Sequence, residues 1–199
     1  MITGAFLFAI RKIRRYNKSM YLVSLYFDEK TNQIIRGHMQ CAADASGNTD
    51  MLDKAVPPHI TLTVFESKES EQRLTEKLDK VMMEKRAGEL IWVSVAAFFP
   101  QVLYLSPVLN EYLHDLSVSV CQEIETFEGA RVQECYKPFN WQPHATVARK
   151  LTAEEMQKAF QGLQSSFRPF RGSVVRIGLS EGTRKRELKS WMLETYKEE

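Results

Sequence analysis

Disulfide pairs, long apolar runs and low-complexity tracts are all missing from these 199 residues. The three cysteines, Cys41, Cys121 and Cys135, form no CxxC motif, and an odd count is no disulfide framework. Reduced thiols in a cytoplasmic protein are therefore expected. The longest apolar run, Ala5 to Ile10, falls far short of the roughly 20 residues that span a bilayer. It precedes its basic cluster, the reverse of a secretory signal, so no stable membrane association is expected. Seven prolines and nine glycines are too few for a linker-dominated chain. A net charge of +2 excludes a strongly cationic nucleic-acid coat protein and leaves room for a local basic groove.

With 44% apolar and 26% charged residues, the composition is that of a folded core. Charge is unevenly spread. Residues 1–19 hold Arg11, Lys12, Arg14, Arg15 and Lys18 and read as a basic extension, with Met20 an alternative start, or as a basic amphipathic helix for a membrane surface or RNA. Residues 20–199 read as a single domain. Within it, residues 19–143 carry 11 basic and 18 acidic side chains, whereas residues 144–191 carry 10 basic and 4 acidic. An anion is welcomed by the C-terminal part.

Strands and helices alternate along the chain. Tyr21 to Phe27 reads as a strand, residues 32–44 as a helix ended by Gly47 and Asn48, and His59 to Phe65 as a period-two strand. A helix over about residues 69–86 places Leu74, Leu78, Val81 and Met82 on one stripe. Glu89 to Phe98 and Val102 to Leu105 pair across Pro100 and Gln101, and Leu109 to Ile124 is helical. Gln142 to Ala148 is a second alternating strand. Thr152-Ala-Glu-Glu155 is a capping box, opening a helix whose buried face is Met156, Ala159, Phe160 and Leu163. Ser173 to Leu179 and Leu188 to Tyr196 close the chain as a hairpin across Gly182.

One pattern occurs twice. Pro58-His59-Ile60-Thr61-Leu62 and Pro143-His144-Ala145-Thr146-Val147 lie 85 residues apart. With four histidines and eleven threonines, chance would set Thr two positions after His about 0.2 times in the chain. Side chains alternate along a strand, so His59 and Thr61 share one face, and His144 and Thr146 share another. If the two halves face each other, two imidazoles and two hydroxyls converge on a site for a tetrahedral oxyanion. Imidazole titrates near neutrality, so one histidine can act as base while the other acts as acid. The hydroxyls can donate to non-bridging phosphate oxygens. No metal is expected, because two histidines without a carboxylate at ligand spacing make a poor zinc site. No other cofactor is expected either.

These paired H-x-T-x motifs resemble those of the two-histidine (2H) phosphoesterase superfamily, most closely its 2′-5′ RNA ligase and RNA 2′,3′-cyclic phosphodiesterase branch. Tyr21 to Asp28 resembles the opening strand, and Val102-Leu103-Tyr104-Leu105 with Leu109, Leu113 and Leu116 resembles the central strand-helix unit. Pro143-His144-Ala145-Thr146-Val147-Ala148-Arg149 resembles P-H-x-T-φ-x-R, where φ is apolar, and sets Arg149 at the family's phosphate-proximal arginine. The resemblance implies an α+β, LigT-like fold: bilobal and pseudo-twofold, two antiparallel sheets flanked by helices around a central cleft. It also implies metal- and ATP-independent opening of 2′,3′-cyclic phosphates to 2′-phosphates, with 2′-5′ RNA ligation as the reverse reaction in some members. Absence of a G-x-x-x-x-G-K-[ST] loop agrees with ATP independence.

The expected catalytic pair is His59 (acid) and His144 (base), with Thr61, Thr146 and Arg149 on the phosphate. Tyr136, Phe139 and Trp141 lead into the second motif; Tyr136 and Trp141 are candidates for base stacking, with core packing the alternative. His38 with Cys41, and His114, read as surface or packing residues. The expected partner is an RNA terminus or small cyclic nucleotide, with ADP-ribose cyclic phosphates and 2′-5′ oligonucleotides open as substrates, and the protein is expected to be a monomer. A nucleotide- or RNA-binding module of the same fold without turnover is the other functional class.

Overall fold

A computed structural model describes residues 19–182 and 186–194. The basic segment 1–18, Arg184 and Lys185 near the expected hairpin tip, and Tyr196 lie outside them. The elements run β1 (Ser19–Phe27), α1 (Glu29–Ser46), α2 (Asp50–Asp53), β2 (Ile60–Ser67), α3 (Glu71–Met82), β3 (Gly88–Phe98) and β4 (Val102–Pro107). Then follow α4 (Glu111–Glu125), β5 (Arg131–Val132), a 3₁₀ turn (Glu134–Tyr136), β6 (Ala145–Arg149), α5 (Ala153–Ser166), β7 (Phe170–Glu181) and β8 (Arg186–Met192). No helix among the described residues is long and apolar enough to cross a membrane.

Local chemistry sets the boundaries. Asp28 caps α1 by accepting the Thr31 N–H at 2.7 Å, and Gly47 ends it at φ 77°, a left-handed turn that favours glycine. Thr152 and Glu155 form the anticipated capping box of α5. Met156, Ala159 and Leu163 line the seam of α5, but Phe160 lies at its edge and stays 39% exposed, a correction to the buried face expected for it.

All strand pairs are antiparallel, in the order β5-β2-β1-β7-β3-β4-β6 with β8 on β7. The long β7 joins the two halves. It pairs with β1 from Val174 to Glu181 and with β3 from Phe170 to Val174. Thus the expected α+β antiparallel fold is present, but the two sheets expected for it are one continuous eight-stranded sheet, because the long β7 pairs with a strand from each half. Helices α1 and α5 pack together, α1 reaching β6 and α5 reaching β3 and β4; α4 covers β2 and β5, and α3 reaches β8. Along β1, Tyr21, Val23, Leu25 and Phe27 are buried, while Leu22, Ser24 and Tyr26 line a cavity.

Candidate active site

The two halves repeat one local design. In the first, Leu25 pairs with Ile60 and Ser24 with Thr61; in the second, Leu105 pairs with Ala145 and Tyr104 with Thr146. One residue beyond each threonine the register slips, leaving Leu62 and Val147 as the extra residue of a bulge. The slip reverses the alternation. Arg149, five residues past His144, would face away from it on a regular strand; after the bulge it lines the same cavity as His59. Its counterpart in the first half, five residues past His59, is Val64, which also lines that cavity. Each half therefore supplies one imidazole, but only one supplies a cation at this position.

Each histidine is clamped in the same way. His59 Nδ1 lies 2.8 Å from the Pro57 carbonyl oxygen, and His144 Nδ1 lies 2.8 Å from the Gln142 carbonyl oxygen. A carbonyl only accepts, so each Nδ1 carries hydrogen and each Nε2 keeps its lone pair. Gln142 is itself held by its side-chain amide, which donates to Ser106 Oγ at 2.8 Å. His144 is 9% exposed and wedged edge-on against Phe98 (4.8 Å between ring centres) and Tyr104 (5.2 Å). His59 is half-buried beside Tyr26 at 6.1 Å.

Burial lowers both histidines, opposed in each case by the carbonyl that accepts from Nδ1. His144 is brought down to about 4, with His59 adding a smaller push; Arg149 adds a similar push on His59. His59 thus acts electrostatically on His144, and Arg149 acts on His59. The hydroxyls of Thr61 and Thr146 hydrogen-bond to no other described residue.

Arg149 belongs to a basic cluster at the cavity's edge. Its Nε donates to Asp50 Oδ2 at 2.7 Å, Lys150 Nζ reaches Asp50 Oδ1 at 2.8 Å, and Lys54 pairs with the same carboxylate. Hydrogen bonds from Lys150, Lys54 and Arg149 hold Asp50 far below the ordinary carboxylate range. One carboxylate thus orients three cations, and the cluster keeps a net positive charge. Sequence alone gave no reason to single out Asp50, since its register against Arg149 arises only in the folded chain.

The cavity, of about 650 Å³, is lined by His59, Arg149, Lys54, Tyr26, Tyr136 and Glu187 among others. Tyr136 therefore stands where a ring could lie. Trp141 does not: it is 6% exposed and its indole N–H donates to the Thr61 carbonyl at 3.0 Å, so it takes the core-packing alternative to base stacking. Phe139 is 85% exposed beside His114, at 4.9 Å between ring centres. His38 packs on Phe167 and Phe170, and Cys41 Sγ meets Ser166 Oγ at 3.3 Å. Among the described residues no three His, Cys, Asp or Glu side chains are grouped to hold a metal.

The sequence matches the family model of the 2′-5′ RNA ligase superfamily over residues 35–186. No curated protein matches it by sequence. Among solved structures it resembles E. coli LigT complexed with ATP, at TM-score 0.54 and 14% identity, covering 90% of this chain and 100% of that one. E. coli LigT complexed with NADP+ gives the same values. A crystal structure of a phosphoesterase aligns at TM-score 0.55 and 15% identity, over 89% of this chain and 99% of that one. Family match and shared fold agree: the chain belongs to the 2′-5′ RNA ligase superfamily, the two-histidine phosphoesterases.

Proposed function

We propose that the protein is a metal- and ATP-independent phosphodiesterase that opens 2′,3′-cyclic phosphates of RNA termini or nucleotides to 2′-phosphates. The observation that carries this reading is the identical clamp on His59 and His144, which sets the Nδ1 of each against a backbone carbonyl and so gives both rings the same tautomer, with Nε2 as the proton-transfer atom in the scheme. The nucleotides bound by LigT, a protein of the same fold, support a ligand of nucleotide size.

In this scheme Thr61, Thr146 and Arg149 hold the phosphate. His144, kept neutral at pH 7 by burial, takes a proton from water through Nε2 as the water oxygen bonds to phosphorus. The P–O3′ bond breaks, and His59, protonated in the complex, gives its Nε2 proton to the departing O3′. An anion beside an imidazole favours the imidazolium, so the phosphate itself helps charge His59. Solvent then carries a proton from His144 back to His59, and the net reaction consumes one water. With a ribose 5′-hydroxyl in place of water as the nucleophile, the same two groups would serve 2′-5′ ligation: O5′ bonds to phosphorus, the P–O3′ bond breaks, and phosphorus stays on O2′.

The test is turnover of a short RNA ending in a 2′,3′-cyclic phosphate, in EDTA and without ATP, followed by ³¹P NMR. Wild type should yield the 2′-phosphate, and His59→Ala and His144→Ala should each lose on the order of 10²-fold or more. Activity of either variant within tenfold of wild type would remove that histidine's role. No turnover of this RNA or of small cyclic nucleotides would leave the binding module as the function.

A further inference from the structure

The cavity floor beyond His59 is built from β1, β7 and β8 and has a charge pattern of its own. Tyr26 on β1 faces Arg176 on β7, whose guanidinium carbon stands 3.8 Å from the centre of the tyrosine ring. Arg176 donates in turn to Glu187 Oε2 at 2.7 Å. Gly178 lets these groups close up: a Cβ there would come within 2.9 Å of the Tyr26 ring and 3.0 Å of Glu187 Oε2. The carboxylate is thus fixed by one oxygen, and its Oε1 hydrogen-bonds to no other described residue.

The placement matters for what can bind. Arg149, Lys54 and His59 line the part of the cavity that the phosphodiesterase reading gives to the phosphate, and Glu187 enters the same cavity from β8. From His59 to Tyr26 is 6.1 Å between ring centres, and the short steps from Tyr26 through Arg176 to Glu187 follow. A cavity of about 650 Å³ has room for a nucleotide and not for a phosphate alone. A carboxylate only accepts hydrogen bonds and repels further phosphates, so this end suits an uncharged group rich in N–H donors. Leu22, Val64 and Tyr136 give the same cavity an apolar wall for a ring.

Resting on the phosphodiesterase reading, we propose that Glu187, held by Arg176 and Gly178, is a base-specificity residue: its Oε1 accepts from the exocyclic amino group of the substrate's base. The cavity then prefers cytosine to uracil and adenine to hypoxanthine, pairs that differ by an amino group against a carbonyl. A site built to hydrogen-bond a substrate group rejects the analogue lacking it more strongly than an apolar pocket does.

The experiment compares kcat/KM for 2′,3′-cyclic CMP, UMP, AMP and IMP in wild type and Glu187→Gln. Wild type should favour the amino-bearing member of each pair by roughly tenfold or more. In the variant Arg176 holds the Gln carbonyl, the amide NH₂ turns to the base, and the preference should vanish or reverse. Parity in wild type, or a preference that Glu187→Gln leaves intact, overturns the proposal. If wild type turns over neither any of the four nor the RNA ending in a 2′,3′-cyclic phosphate, the hydrolytic reading fails. Calorimetric Kd values for 2′-CMP and 2′-UMP then decide the base contact: a cytosine preference lost in Glu187→Gln upholds it, and equal or absent binding sinks it.

Discussion

At His144, burial makes protonation costly in the folded state. Its pKa falls from 6.5 to about 4, so between these values the unfolded chain binds a proton that the folded chain does not. Stability is complete above about pH 6.5 and falls as the pH drops through the folded value, by up to about 3 kcal/mol from this residue. His59, also lowered, acts in the same direction. Urea unfolding of wild type and His144→Gln at pH 7, 5.5 and 4 should show a shallower acid loss in the variant; parallel curves would remove this role for burial. Inorganic phosphate should offset more of the loss in wild type than in the variant, because an anion between the imidazoles favours the charged forms of both, and the variant keeps only His59.

At the scale of elements, one hydrogen bond ties the two motifs together. The Trp141 indole donates to the backbone of Thr61 from a position three residues ahead of His144. Trp141→Phe keeps an aromatic ring but leaves a buried carbonyl without this donor, at a cost of about 1–3 kcal/mol plus the effect of the smaller ring. An unchanged urea midpoint would show that the staple carries no load.

The alternating strands and both H-x-T-x pairs were legible because period-two burial and the histidine spacing are written locally. The side chains of the bulges were not. Arg149 was picked out by the resemblance of its segment to P-H-x-T-φ-x-R, yet simple alternation would have turned it away from His144, and only the slip at Val147 explains its place in the cavity. Tyr26, Tyr104, Asp50 and Glu187 escaped notice because each meets the site across a strand pairing or a crossover that no local pattern announces. Short α2 and β5 carry too few residues for any periodicity to show.

Over the whole molecule, β7 makes the two lobes one cooperative unit. Val174, Ile177 and Leu179 are completely buried in the strand that both halves share. Ile177→Ala should cost about 2–5 kcal/mol and lower stability of both halves together. Tryptophan fluorescence and far-UV circular dichroism should trace the same single transition in wild type and variant, since Trp92 lies on β3 and Trp191 on β8. Two separated transitions would show lobes that melt independently.

The shared strand also bears on how substrate gets in. A hinge needs a few residues that absorb large backbone rotations, yet at the junction the backbone of β7 is bonded to β1 on one side and to β3 on the other. Opening the lobes like jaws would break those ladders. On the proposed function, capture and release fall to side chains that line the cavity, Lys54 and Arg149 among them, and the groove stands ready-shaped before any ligand arrives.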